Sequence, residues 1–297
     1  MLSSTQDRSA LLFTGELLRL LDLFDRHSIA ALPFKGPVLA DMLYGDIAAR
    51  DYCDLDLLLP KQDVAKAIDA LLAAGYTTDL PADPGPRKAY LRARYEIHFK
   101  SPGGAIPIEI HQSFLPRAYG FALSPRWERR AFFGREIAAL APPDLLLILC
   151  AHGAKHAWSE PALVRDLARL LEVSAGNFSW PDLLRDASAI GAKRILLLGV
   201  YLAAQLDVPV TPEVLSLAHR DKAVVRLAGR IRTGAPEDPR FFIQTRERFR
   251  DQLACCARLA FTPNEEDYSL LPLPAILSPL YYPLHAMRVA GKFGFGR

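Results

Sequence analysis

The sequence predicts an α+β chain in two parts: strands with helices over residues 1–125, then helices alone over residues 126–297. Three observations carry this. Short strand-like apolar runs lie in the first part. Two of them, Arg94 to Lys100 and Ile106 to Gln112, flank Ser101-Pro-Gly-Gly-Ala105, which reads as a hairpin turn. From Pro142 onward the apolar residues recur at helical spacing instead. The change of character falls across residues 115–140.

Taken in order, Ser9 to Arg26 reads as a helix, with Leu11, Leu12, Leu18, Leu21 and Phe24 near helical spacing. Ile29 to Phe34 is short and apolar, hence a strand. It meets Lys35-Gly36-Pro37, where Pro37 suits the first residue of a helix running to Tyr44. Tyr52 to Leu59 has acids at period 2 and is closed by Pro60, hence a second strand. Lys61 to Ala74 is an amphipathic helix, with Val64, Ile68, Leu71 and Leu72 on one side and Gly75 as its stop. Leu80 to Arg87 is a Pro/Asp/Gly loop. Later helices are expected at Asp144 to His156, Leu163 to Val173, Trp180 to Ile190, Ala192 to Gln205 and Arg240 to Leu259.

Composition bounds the function. A chain that is 51% hydrophobic and 23% charged is globular, not disordered. A net charge of +3 is too small for a protein that coats nucleic acid. That charge is uneven: residues 1–267 balance to zero, and the last thirty carry all of it. Prolines also gather there, between Leu271 and Pro283. This tail is expected to pack back on the helices or, alternatively, to dock a partner or a membrane surface. Leu270 to Leu284 is too broken by proline to span a bilayer. Cys53, Cys150, Cys255 and Cys256 form no CxxC pair, and the N-terminus has no signal pattern. Both point to reduced, mostly buried thiols in a cytoplasmic protein. Trp127, Trp158 and Trp180 are expected in the core or an interface.

The chemistry lies in the acids. Asp54 and Asp56 are two apart on one expected strand, so both carboxylates face the same way. Such a pair repels unless a cation intervenes. Cys53 then points to the opposite face, toward the core. A third acid, Glu109, stands between Ile108 and Ile110 on the hairpin, with Glu96 as its rival. Three carboxylates from neighbouring strands suit Mg²⁺ (or Mn²⁺). Upstream, Lys35-Gly36 ends a strand and opens a helix, a geometry that can hold phosphate. Together these suggest phosphoryl or nucleotidyl transfer.

In these residues the chain resembles the nucleotidyltransferase superfamily with the DNA polymerase β palm. More closely, it is similar to an uncharacterised bacterial branch of that superfamily. The matching motifs are Lys35-Gly36, Arg50, Asp54-Leu-Asp56-Leu-Leu, Glu109-Ile-His111 and His152-Gly-Ala-Lys-His156, and the resemblance as a whole runs from about residue 10 to about 290. Two departures stand out. The superfamily commonly has Gly-Ser at the turn, and its third acid is often Asp.

The resemblance implies a palm domain of mixed sheet and helices followed by an all-helical domain. It implies that Asp54, Asp56 and Glu109 hold the metal. Lys35, Gly36, Arg50, His111, Lys155 and His156 are then candidates to contact the nucleotide. The implied reaction moves a nucleoside monophosphate from an NTP, ATP first among them, to a hydroxyl and releases pyrophosphate. Members of this branch resemble tailoring enzymes beside ribosomal-peptide, lasso-peptide and polysaccharide pathways, so the acceptor is expected to be a peptide, sugar or small molecule. A phosphotransferase on the same metal site and a silent binding scaffold remain alternatives. Blander readings also stand: Lys35 as a surface lysine, Arg50 pairing with Asp51 or Asp54, Asp166 orienting its helix, and the two helical histidines packing between the domains.

Overall fold

The computed structural model describes residues 5–294, except 82–86, 88–89, 93, 121–122, 124, 177–178, 235–236, 272 and 274. The expected loop at Leu80 to Arg87 falls largely outside the described residues, as do Pro272 and Pro274 of the tail.

The first part is a mixed five-stranded sheet with helices on one side. Helix α1 (Thr5–Arg26) leads to β1 (Leu32–Pro33), α2 (Gly36–Tyr44), β2 (Leu55–Leu58) and α3 (Val64–Ala73). Then come β3 (Thr77–Thr78), β4 (Glu96–Lys100) and β5 (Pro107–His111). The strand order is β1-β2-β5-β4-β3, with β2 and β5 parallel and the other pairs antiparallel. Period-2 alternation gives the sheet a dry face. Leu55, Leu57, Ile97, Phe99, Ile108 and Ile110 join one buried cluster with Leu17, Leu20, Leu21 and Phe24 of α1 and Ile68 and Leu71 of α3. Each such side chain contributes roughly 1.5–3 kcal/mol by leaving water.

Residues 126–140, expected to be helical, depart from that expectation. They hold a hairpin, β6 (Trp127–Phe132) and β7 (Arg135–Leu140). Its tight turn places Phe133 at φ 46° and Gly134 at φ 80°, both left-handed. Phe132 and Ile137 join the sheet's buried cluster, and Arg135 bonds Asp22 and Asp25 of α1. Trp127 is exposed on this hairpin, whereas Trp158 is buried.

Helices follow: α4 (Pro142–Lys155), α5 (Pro161–Val173), α6 (Trp180–Ala189), α7 (Lys193–Ala203), α8 (Pro212–Arg220) and α9 (Lys222–Arg232). The central pair, α4 and α7, is apolar nearly all round and buried. They pack so closely at Gly199 that a Cβ there would lie 2.4 Å from Cys150 Sγ. The helix expected over Arg240 to Leu259 is instead two, α10 (Pro239–Gln244) and α11 (Phe249–Phe261). The break has a use. The Thr245 hydroxyl turns back to the Phe242 carbonyl, and the freed Arg246 carbonyl accepts from Arg194 and Gln252.

The tail forms α12 (Glu265–Leu270) and α13 (Tyr281–Gly294), and α13 packs on α11. Its charge is partly spent inward, because Arg288 bonds both Asp267 and Glu266. Among the described residues no helix is long and apolar enough to cross a membrane. All four cysteines are free; Cys150 and Cys255 are buried, but Cys53 and Cys256 are exposed. Cys53 misses the core because β2 begins only at Leu55, so strand alternation does not reach it.

The two parts interlock. Phe34, Leu39 and Leu43 around α2 belong to the helical core with Leu146 and Leu167. Arg169 of α5 donates to the Leu43 carbonyl at 2.8 Å.

Candidate active site

The acids gather on the other face of the sheet. Parallel pairing sets Asp56 beside Glu109 and Leu58 beside His111. On β4, His98 stands opposite Glu109 and Glu96 opposite His111. Alternation therefore points Asp56, Glu109, His111, His98 and Glu96 away from the apolar cluster. Asp54 stands just ahead of β2.

Asp56 is the buried centre. Lys35 Nζ and His111 Nε2 each lie 2.9 Å from its Oδ1. Its Oδ2 is equally buried and has no hydrogen-bond partner. His111 Nε2 also reaches Glu109 Oε2 at 3.3 Å. Ligand atoms of Asp56, Glu109 and His111 lie within 4.8 Å of one another. The rings of Phe34 and Tyr95 close edge-on around His111.

The electrostatics follow from this crowding. Burial opposes a charge on Asp56, but Lys35 and His111 overcome it and hold the carboxyl well below its usual range. Asp54 goes the other way. Burial and the charges of Asp56 and Glu109 push it up to about 6. Burial would lower Lys35, yet Asp56 raises it. Burial likewise opposes His111, but Asp56 and Glu109 lift it to about 8. Burial would raise Glu96; bonds from His98 and Tyr95 bring it down to about 2.

This arrangement fits a divalent cation. A buried carboxylate oxygen without a partner is costly, about 1–3 kcal/mol. Here it sits among further carboxylates that repel one another. The donors that lie together, two carboxylates and the His111 imidazole, can hold a divalent cation.

Several of the expected residues converge on the acids. Lys35 is committed to Asp56 rather than loose in a turn. Gly36 opens α2 at φ +58°, and a Cβ there would lie 3.3 Å from the Asp54 carbonyl oxygen. Lys155 crosses from α4 to place Nζ 2.7 Å from the Tyr95 hydroxyl. Burial pushes this lysine down.

Two expected residues are held elsewhere. Arg50 pairs with Asp166 at 2.7 Å, not with Asp51 or Asp54. Tyr44 bonds the other oxygen of Asp166, so this acid ties α5 to the sheet part. His156 bonds Glu237 at 3.1 Å. Two further histidines stand at the cluster: His98, to which the sequence assigns no role, and His152 of the helical motif. His98 lies 3.6 Å from Glu96 and 3.8 Å from Glu109. The signal was the echo of Glu96-Ile-His98 in Glu109-Ile-His111. In antiparallel register each Glu meets the other strand's His. His152 is half-buried near Lys35, and desolvation and that lysine's charge both push its imidazole down.

Residues 3–206 match the family model described as uncharacterised nucleotidyltransferase. Among curated proteins no sequence match was found. Solved structures give partial likenesses. A lincomycin-bound lincosamide antibiotic adenylyltransferase, LnuA, is 19% identical, with a TM-score of 0.38 over 52% of this chain and 94% of that one. The antibiotic-resistance factor ANT(2'')-Ia in solution is 12% identical, with a TM-score of 0.40 over 70% and 95%. Its crystal structure with adenylyl-2''-tobramycin gives 12% and 0.38 over 65% and 98%. The family match covers well over half of the sequence: this chain belongs to the uncharacterised nucleotidyltransferase family.

Proposed function

We propose that the protein moves a nucleoside monophosphate from an NTP to a hydroxyl of a peptide, sugar or small-molecule acceptor, releasing pyrophosphate. The observation that carries this reading is the unpartnered Asp56 Oδ2, buried beside Asp54 and Glu109. In the proposal these three acids hold Mg²⁺, which when bound supplies positive charge to the triphosphate and to the attacking hydroxyl. Glu109 is preferred over Glu96 because its register sets it beside Asp56.

The chain's own groups do the remaining work. Lys35 and His111 fix Asp56 Oδ1, which leaves Oδ2 presented in one direction. The first turn of α2, opened by Gly36, offers backbone N–H groups to phosphate. Lys155, anchored on Tyr95, brings a second cation from the helical part. Arg50 and His156 act in this proposal as positioning residues. We also place the functional boundary after β7, because Phe132 and Ile137 share the sheet's core.

The test incubates the full chain with each α-labelled NTP, Mg²⁺ and panels of hydroxyl acceptors. The expected product carries a nucleotidyl mass with stoichiometric pyrophosphate. A product heavier by phosphate alone would overturn nucleotidyl transfer. Undiminished transfer by Asp54→Ala/Asp56→Ala would overturn the metal assignment.

A further inference from the structure

A cavity of about 660 Å³ lies beyond the acid cluster, between the ends of β2 and β5 and the flank of α4. Leu58 and Gln112 form its sheet wall, and Ile148 and Ala151 its helix wall. The third wall comes from the C-terminal segment, through Arg258, Thr262 and Tyr282. That segment lies outside the residues 3–206 matched by the family model. The wall therefore comes from outside the matched region.

Its charge is one-sided. Lys61, Arg117 and Arg258 line it, and no Asp or Glu does so among the described residues. Three other cavities with cations on their walls also carry acids: Asp25 and Glu136 in one, Glu16 and Asp22 in the next, Asp79 and Glu109 in the third. The chain as a whole is close to charge balance. An acid-free wall with three cations is thus a local departure.

The cations are held but not neutralised. Arg117 donates to the Arg92 carbonyl at 3.2 Å and Arg258 to the Gly120 carbonyl at 3.1 Å. Each guanidinium has five N–H donors, so one such bond steadies it and leaves the others available. Two of the nearby polar groups are already engaged: Gln112 Nε2 with the Leu91 and Arg94 carbonyls, and Ser113 with the Leu115 carbonyl. The walls offer a ligand positive charge, the Thr262 side chain and apolar surface from Leu58, Phe114, Leu123 and Tyr282. A cavity of this size accepts a drug-sized molecule.

We propose that this cavity binds an organic anion: a carboxylate, sulfonate or phosphate ester joined to an apolar or aromatic body. The charged group meets Arg117, Arg258 and Lys61, and the body lies against Phe114 and Tyr282. Asp54, Asp56 and Glu109 do not line this cavity, and the proposal stands whether or not nucleotide transfer is found.

The test uses the full chain and two fluorescent probes of similar shape. One is 1-anilinonaphthalene-8-sulfonate; the other is the neutral N-phenyl-1-naphthylamine. The sulfonate should bind one-to-one and more tightly than the neutral probe, with a preference that shrinks as salt is added. In Arg117→Gln/Arg258→Gln its dissociation constant should rise about tenfold, while the neutral probe changes little. Arg117→Lys/Arg258→Lys, which keeps the charge, should retain most of the binding. Thr262→Trp should displace both probes by filling the space, with an unchanged thermal midpoint. Unchanged sulfonate affinity in the Gln pair, or equal weakening of both probes, would overturn the site. So would an equal loss in Asp54→Asn, which would place the probe on the acids instead.

Discussion

Two buried aspartates, Asp56 and Asp267, have similar neighbours and different fates. Each is paired with a histidine and a basic side chain. Around Asp267 every oxygen is used: Arg288 Nε lies 2.7 Å from Oδ1, while His285 Nδ1 and the Asn264 backbone N–H reach Oδ2 at 2.6 and 2.7 Å. The cluster closes a capping box at the start of α12. Around Asp56 both partners crowd onto Oδ1, and Oδ2 has none. A buried ion pair by itself therefore says little about function. The lone pair left over distinguishes a site built to receive something from one built to hold a tail.

The contrast is sharpest under mutation. If the proposed metal assignment holds, Asp54→Asn should reduce nucleotide transfer by about 10³-fold or more, since it removes one of the charges assigned to the metal. It should leave the metal-free protein as stable as before, or more so, because Asp54 is held against its neighbours' charge. Activity assays beside thermal melts read both. Asp267→Asn should do the reverse. It leaves Arg288 and His285 without their carboxylate, at a cost of about 3–5 kcal/mol, with kcat/KM of the folded fraction retained. A stable Asp267→Asn protein with lost activity would dissolve the distinction.

A smaller effect concerns pH. His111 is raised in the folded state to about 8, so its stabilising contribution is full below its ordinary value near 6.5 and is lost as pH rises through 8. The metal-free protein should lose about 2 kcal/mol across that window. Asp54 acts in the same sense at lower pH, since its carboxyl is also raised. Chemical denaturation at pH 6 and 9 measures the change, and His111→Gln should flatten it. An equally steep dependence in that variant would assign it elsewhere. The smallest effects separate structural from nucleotide-facing cations. Arg50→Gln should lower the melting temperature by a few degrees and leave the KM for NTP within about twofold, because Arg50 is spent on Asp166. A large rise in KM would return it to the nucleotide.

Much of the sheet part was legible because alternation is a strong constraint. Once Ile108 and Ile110 are inside, Glu109 must face outward, and Asp56 between Leu55 and Leu57 obeys the same logic. The partners of Lys35 and Arg50 were not legible. They lie 21 and 116 residues away, and only tertiary packing decides them. The hairpin of residues 127–140 escaped for a local reason. Its turn is Phe133-Gly134 rather than Asn-Gly or Asp-Gly, and its first strand is mostly exposed, with little apolar alternation to read. The break at Thr245 was hidden because its reward, the carbonyls offered to Arg194, comes from a distant helix.

The parallel pairing of β2 with β5 has a consequence for how the molecule comes to exist. The β4–β5 hairpin is local and can form early, and it carries Glu96, His98, Glu109 and His111 together. Asp56 joins them only when two strands more than fifty residues apart close side by side, a long-range step that is slow because its loop entropy must be met first. A chain still emerging or partly folded thus holds half of its acids and lacks the assembled cluster. Chemistry on nucleotides begins only with the last strand to arrive, so a nascent or damaged copy is silent rather than indiscriminate.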